Sequence, residues 1–348
     1  MGDMIDRLAQ GQVPDKAGLA ELLGRHRDPE LRARLAALAL AAREEHFGRD
    51  VYLRGLIEFT SYCRNDCLYC GLRRGNPAAD RYRLSAEEIV DRCRVGRDLG
   101  FRTFVLQGGE DPETTDDWMV GLVITLRREF PDCAITLSAG EKSRESYEAL
   151  RQAGADRYLL RHETANAGHY SRLHPPSMTL AGRLACLEDL RAIGFQVGAG
   201  FMVGSPWQTY EHLAEDLLFL RDFRPQMVGI GPFIPHPQTP LAGFSAGDAA
   251  LTTFILGLVR LILPRVLLPA TTALGTILAE GREMALEFGA NVMMPNLSPL
   301  EVRSKYEIYT GKIHLDEEAA EGLARLRARL AALGYKTPEV RGDFPDAV

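Results

Sequence analysis

From residue 51 onward, short apolar runs alternate with amphipathic helical stretches, and that alternation confines the chain to folds built of repeated βα units. Eight strand candidates can be read, at residues 53–60, 103–107, 134–138, 157–161, 196–202, 227–230, 267–271 and 291–293. Helical patterns separate them, such as 85–99, 145–153 and 180–193; Ser85 followed by Glu88 reads as a capping box. Eight such units over about 250 residues match an α/β fold of the (β/α)8, TIM-barrel type. A six-stranded open barrel is the alternative, because the last two units carry the thinnest patterns. Residues 1–50 are helical and rich in Leu, Ala and Arg, and are expected to pack across the barrel floor. Residues 316–333 read as one amphipathic helix ahead of a polar tail. The division expected is therefore a helical extension over 1–50, the barrel over 51–311, and a C-terminal helix and tail over 312–348.

The first strand candidate runs directly into Cys63-Arg-Asn-Asp-Cys67-Leu-Tyr-Cys70, a C-x3-C-x2-C run. Barrel chemistry sits at the C-terminal ends of strands, where this run falls. Thiolates are soft ligands suited to iron–sulfur clusters, and three of them satisfy three of the four irons of a [4Fe–4S] cubane. The open iron can be chelated by the amino and carboxylate groups of a methionine, which would place S-adenosylmethionine (SAM) beside a reductant. One electron from an external donor would then split the sulfonium and release a 5′-deoxyadenosyl radical. A structural zinc site prefers four ligands, usually two C-x2-C knuckles, and no second knuckle is present. Disulfide frameworks belong to short secreted chains. Cys93, Cys133 and Cys186 are isolated and read as small buried hydrophobes.

Composition narrows the function classes. With 348 residues, 46% hydrophobic and 25% charged, the chain has the make-up of an ordinary globular protein with ample core. Its net charge of -6 argues against a nucleic-acid partner. The N-terminus lacks a charged region followed by an apolar run, and the most apolar stretch, 251–272, is interrupted by Arg260, Pro264 and Arg265, so no membrane span is expected. A reducing cytoplasm suits both the thiols and an oxygen-sensitive cluster.

Other strand ends carry polar groups at matching levels. Gln107-Gly108-Gly109-Glu110 ends the second strand, where glycines permit close backbone approach of a ligand and Glu110 can accept from an ammonium. Ser138 ends the third. Period-two alternation puts Arg157, Leu159, Arg161 and Glu163 on one face of the fourth strand, and Arg54, Leu56, Glu58 and Thr60 on one face of the first. This pattern has two readings. One is internal Arg–Glu pairing that fills a polar layer. The other, which we prefer, is a lumen lined with guanidinium groups that hold anionic parts of a substrate, with Glu163 near SAM. Glycines and Pro206 around Met202 suit a backbone ledge with an apolar floor. Arg183 opens a helix and could fork a carboxylate. His236 lies in a proline-rich lip at 228–242 and reads as structural. Thr271 and Thr272 offer hydroxyls to the cavity, and Tyr306 and Tyr309 could cap it.

The cysteine spacing, with Tyr69 just ahead of the last cysteine, resembles the radical SAM superfamily. Segments 53–74, 154–166, 198–209, 227–242, 269–276 and 289–296 are similar to the HydE family of [FeFe]-hydrogenase maturases, a likeness running from about residue 50 to Lys312. The resemblance implies a radical SAM barrel with Cys63, Cys67 and Cys70 as ligands of one [4Fe–4S] cluster. It implies Tyr69, Gly108, Gly109, Glu110, Ser138, Glu163, Arg183 and Met202 as SAM contacts. Arg54, Gln107, Arg161, Thr271, Thr272 and Tyr306 would line the substrate cavity. The substrate implied is an iron complex bearing cysteine, CO and cyanide, delivered by the partner maturase HydG, with HydF as the further partner. Two departures stand out: no C-terminal cysteine triad follows residue 311, so a single cluster is expected, and Val302 stands where the family often has tyrosine.

The rival expectation is a radical SAM enzyme on an amino acid, such as methylornithine synthase. A biotin-synthase-like sulfur inserter needs a sacrificial second cluster, which Cys133 and Cys186 cannot supply. From another class comes a non-catalytic cluster carrier, which would form no 5′-deoxyadenosine.

Overall fold

The order of elements follows the βα alternation. α1 (Gly2–Ala9), α2 (Lys16–Gly24) and α3 (Pro29–Phe47) lead into β1 (Tyr52–Leu53) and β2 (Gly55–Thr60). Then come α4 (Ala86–Asp98), β3 (Thr103–Gly108), α5 (Asp116–Glu129), β4 (Ala134–Ser138), α6 (Arg144–Ala153) and β5 (Arg157–Leu159). α7 (Ala167–Leu173) and α8 (Leu180–Ile193) precede β6 (Gln196–Ala199), β7 (Met202–Val203), α9 (Tyr210–Phe223), β8 (Met227–Val228) and β9 (Gly231–Pro232). The chain continues with α10 (Ala249–Ile262), α11 (Thr272–Ile277), α12 (Gly281–Glu287), β10 (Val292–Met293), α13 (Leu300–Arg303) and α14 (Ala319–Ala332). The structure is a computed structural model and describes residues 2–313 and 319–345. The start of the helix expected at 316–333 lies outside the described residues.

Among the described residues, every pairing between these strands is parallel. A continuous sheet runs β2-β3-β4-β5-β6-β8. It closes through single bridges, Met227 to Leu267 and Pro269 to Val292, then through β10 to β1 and from Asn296 to Leu56. The ring thus has eight positions, and the open six-stranded alternative falls. The seventh position, expected as a strand at 267–271, contributes only bridges at Leu267 and Pro269. Helix starts follow local chemistry: Ser85 Oγ accepts from Glu88 N at 3.2 Å while Glu88 Oε2 accepts from Ser85 N at 2.7 Å. The sheet's outer face and the helices share one apolar core, from Ile57 and Phe104 to Leu190, Leu217 and Phe254. Among the described residues no helix is long and apolar enough to cross a membrane.

The barrel floor is not where the N-terminal helices pack, contrary to expectation. α2 lies on α9, α3 lies on α10 and α12, and α1 lies on α3 and α10, so they cover one flank. The segment after α14 crosses the floor instead. Val51 N donates to Lys336 O at 2.8 Å, Thr103 Oγ1 to Arg341 O at 2.7 Å, and Arg157 Nη2 to Asp343 Oδ1 at 2.6 Å. Phe344 packs with Phe47, Met227, Leu267 and Val292. The physical reason lies in charge: Arg157 is 1% exposed, and Asp343 is the carboxylate that reaches it.

Candidate active site

The loop after β2 carries Cys63, Cys67 and Cys70, all free thiols and all partly buried. A dense backbone network fixes it. Arg64 N donates to Glu110 O at 2.8 Å, Leu68 N to Leu173 O at 2.9 Å and Gly71 N to Ile308 O at 3.0 Å. Arg81 donates to Leu72 O at 2.9 Å and Arg73 O at 2.8 Å, and Arg73 pairs with Asp66 at 2.7 Å. A loop held this way presents its side chains at fixed positions.

Close approach from the second strand end requires small residues. A Cβ on Gly109 would stand 2.1 Å from Tyr62 O and 2.8 Å from Cys63 Cβ. Beside it, Glu110 accepts from Arg64 Nε at 3.1 Å and from Glu141 N at 2.9 Å. Gly140, at φ +75°, leaves the space that the Glu110 side chain fills.

The three thiols sit close enough to feel one another. Burial, then the charges of Cys70 and Cys63, push the Cys67 thiol well up. Burial pushes Cys70 up to about 12 and raises Cys63 as well. Such thiols stay protonated until a cation draws them to thiolates. Among the described residues no three His, Cys, Asp or Glu side chains converge on a point, as one metal ion would require. A cubane takes one thiolate per iron, so three cysteines on one loop suit three of its four irons.

Aromatic and apolar groups back this loop. Tyr69 Oη lies 3.2 Å from His174 Nε2, and His174 stacks on Tyr170 with centroids 3.8 Å apart. Cys67 packs on Tyr170, Met178 and Leu180. Tyr69 packs with Met202, Leu173, Phe233 and Leu241, so the expected apolar ledge at Met202 lies beside the cysteine loop.

Arg161 and Glu163 face one another at 3.1 Å. Arg161 Nε and Nη2, Glu163 Oε2 and Thr271 Oγ1 are all buried without a hydrogen-bond partner. Arg161 and Thr271 border the same backbone, residues 229–231. Glu163 adopts φ +65°, a left-handed conformation that costs a non-glycine residue about 1–3 kcal/mol. Arg183 donates to Arg161 O at 2.6 Å and pairs with Glu141 at 2.5 Å.

Glu58, Gln107 and Ser138 stand in one register row across β2, β3 and β4. Gln107 Nε2 lies 3.4 Å from the hydroxyl of the buried Tyr306. Thr272, at the start of α11, borders a cleft with Leu56, Asn296 and Lys312. Burial raises Tyr309 to about 12, where it feels both Glu58 and Arg161.

Arg54 does not join this group. It is fully buried at the opposite end of β2, with Nη1 2.7 Å from Met227 Sδ and Nη2 3.5 Å from Gly342 O. Arg54 and Arg157 thus belong to the floor, where Arg157 is the one of the two with a carboxylate partner, Asp343. The sequence reading also missed Lys312, Asn296 and His174. Glu58 holds Lys312 and Asn296 at hydrogen-bond distance, and a carboxylate on an inward strand position was itself the signal that a cation must come from elsewhere.

Comparison with known proteins agrees with this geometry. The family model of the radical SAM superfamily matches residues 57–220. The chain is 47% identical over 302 residues to the [FeFe] hydrogenase maturase subunit HydE of Thermotoga maritima, covering 87% of this chain and 86% of that one. It is 29% identical over 307 residues to the 3-methylornithine synthase of Methanosarcina acetivorans, covering 87% and 86%. The crystal structure of methylornithine synthase superposes with a TM-score of 0.83 at 26% identity, covering 96% of this chain and 97% of that one. The maturase HydG from Carboxydothermus hydrogenoformans shares the fold, with a TM-score of 0.79 at 21% identity over 96% of this chain and 78% of that one. Radical SAM enzymes work with a [4Fe–4S] cluster and SAM, and the thiol set described above is of the matching chemistry. The chain belongs to the radical SAM superfamily and, within it, to the HydE family of hydrogenase maturases.

Proposed function

We propose that this enzyme acts on a cysteine-bound iron complex bearing CO and cyanide, on the route to the diiron centre of [FeFe]-hydrogenase. In this reading Cys63, Cys67 and Cys70 hold the [4Fe–4S] cluster. When bound, the cluster would pass one electron from an external donor to the sulfonium of SAM, whose C5′–S bond would break to give methionine and the 5′-deoxyadenosyl radical. The chain's own residues have separable duties. Gly108 and Gly109 bring backbone close to the methionyl group, and Glu110 receives its ammonium. Arg183 faces its carboxylate, Glu163 the ribose, and Met202 lies against the adenine, with Tyr69 and Ser138 completing the wall. Arg161, Gln107, Thr271, Thr272 and Tyr306 line the substrate chamber, while Arg54 serves the floor. The closed barrel keeps water and stray hydrogen donors away from the reacting atoms.

The observation that supports this most is the pair of buried atoms Arg161 Nε and Thr271 Oγ1, which have no hydrogen-bond partner and border the same backbone at residues 229–231. An Arg161 Nε–H and a hydroxyl with no hydrogen-bond partner of their own suit the carboxylate of a bound cysteine. HydG as supplier of the iron complex, HydF downstream, an external one-electron donor and a cytoplasmic location complete the reading. The second reading is an amino-acid mutase of the 3-methylornithine synthase kind, favoured by the close barrel superposition. One experiment separates them. Reduced, cluster-loaded enzyme is given SAM with either the HydG product or lysine. Formation of 5′-deoxyadenosine stimulated by the iron complex is the result expected; stimulation by lysine, with methylornithine formed, would transfer the assignment to the mutase.

A further inference from the structure

Glu163 holds a left-handed backbone, yet β5 ends four residues earlier and cannot enforce it. The residues on either side are tied to one carboxylate on α9. Ala165 N donates to Asp216 Oδ1 at 2.5 Å, and His162 Nε2 lies 3.3 Å from the same oxygen. Across the ring, Gly200 N donates to His162 Nδ1 at 3.3 Å. That contact makes Nδ1 an acceptor, so Nε2 carries the proton and donates to Asp216. The imidazole therefore joins three elements: the exit of β5, the turn between β6 and β7, and α9. Glu163 lies inside this frame, with its N–H donating to Gly200 O at 3.0 Å and its carbonyl accepting from Met202 N at 3.3 Å.

His162 and Asp216 are both fully buried, and the ring packs against Phe201 and Phe219. A ring with both nitrogens engaged and no solvent contact has no proton to exchange with a substrate. Its contribution is geometric.

We infer that His162, braced by Asp216, is a positioning residue for SAM: it fixes the Glu163 backbone and keeps the segment from Gly200 to Met202 in register with it. The inference rests on the reading in which Glu163 contacts the ribose and Met202 the adenine. Neither His162 nor Asp216 touches the nucleoside in this account. They act through the pair that does.

The test uses cluster-loaded protein in the oxidised state, where SAM binds without turnover, and measures SAM affinity by equilibrium dialysis. Hydrogen exchange is followed alongside over residues 160–166 and 199–203. His162→Phe keeps the ring volume but breaks both hydrogen bonds, and is expected to weaken SAM about tenfold. His162→Gln restores a donor, and is expected to recover affinity to within about threefold of the wild type. Exchange should quicken in those two segments and stay unchanged elsewhere. Wild-type affinity in His162→Phe, alongside weakened binding in Glu163→Gln, would overturn the inference and leave the Glu163 reading standing. Wild-type affinity in Glu163→Gln would remove that reading and the inference with it. Exchange quickened throughout the barrel without rescue by His162→Gln would mean a general structural role and also overturn it. Should His162→Phe fail to fold, Asp216→Asn, which keeps the Oδ1 acceptor, is expected near wild type, and Asp216→Ala about tenfold weaker. Equal affinity in those two variants would overturn the inference.

Discussion

Lys312 Nζ stands 2.5 Å and 2.7 Å from the two carboxylate oxygens of Glu58, joining side chains that are 8% and 2% exposed. The pair links β2 to a segment that returns over the barrel mouth. Along that segment Ile308 O accepts from Gly71 N, Glu307 faces His236 at 3.4 Å, and Tyr306 meets Gln107. The ion pair is therefore the clasp of a strap laid over the cysteine loop.

Breaking the clasp from one side leaves a buried carboxylate without its cation, which typically costs about 3–5 kcal/mol. Lys312→Met should lose stability of that order in urea unfolding. The double variant Glu58→Gln with Lys312→Met should regain most of it, because the desolvated charge is gone from both partners. A cycle in which the two single changes simply add would mean that the residues do not interact.

Three buried histidines set an acid limit. Burial pushes His162 and His174 down to about 3 and His169 to about 4, from an ordinary value of 6.5. The folded chain keeps them neutral where the unfolded chain takes up protons, so full stability holds above pH 6.5 and is lost as pH falls towards 4. Each contributes a slope of about 1.4 kcal/mol per pH unit in that window. His169→Gln should flatten the fall between pH 6 and 4.5 by roughly one such proton. An unchanged slope would mean that His169 is protonated in the fold.

How far the sequence disclosed this molecule depends on the range of the interaction. The cysteine loop was legible because its three cysteines lie on one short run directly after a strand, and the capping box at Ser85 because its two residues lie three positions apart. Alternation in the first and fourth strands correctly marked an inward face, but it carries no information on height along the barrel axis. Arg54 thus shared a pattern with Glu58 while lying at the other end of the strand. Lys312 and Glu58 are 254 positions apart, and no local pattern joins them. The tail's role as floor was equally hidden, since its polar composition reads as exposed until Arg157 needs Asp343.

That floor contact has its own consequence. Burial alone would raise Asp343, but hydrogen bonds and charge from Arg341 and Arg157 hold it down at about 2. A depressed carboxylate adds stability above its unfolded value near 4, which is lost as pH falls through 2. Asp343→Asn should cost about 1–2 kcal/mol at pH 6 after allowance for its partial exposure. The two proteins should converge in unfolding experiments as pH drops from 4 towards 2. A constant gap would assign the loss to packing.

The thiols divide into two groups of different environment. Cys63, Cys67 and Cys70 share one loop, while Cys93 lies on α4, Cys133 just before β4 and Cys186 on α8. Serine at any of the first three should abolish a full complement of iron and sulfide after anaerobic reconstitution. Serine at Cys186, which is partly exposed, should leave that complement unchanged. Iron retained in all three loop variants would remove the loop as the cluster site.

Gly109 offers a test of the loop's placement that changes no cysteine. A methyl group there would lie 2.1 Å from Tyr62 O and 2.8 Å from Cys63 Cβ, closer than atoms tolerate, and the first of these is backbone that cannot swing aside. The loop must move to admit it. Gly109→Ala should therefore keep the barrel's circular dichroism and lose most of its iron content and SAM-dependent change in the cluster's EPR signal. Gly121→Ala is the control, because a Cβ at that position of α5 meets nothing within 4 Å and alanine favours a helix. It should match the wild type in iron content and gain slightly in stability. Equal iron content in the two variants would mean that the cysteine loop does not depend on the strand end it rests against.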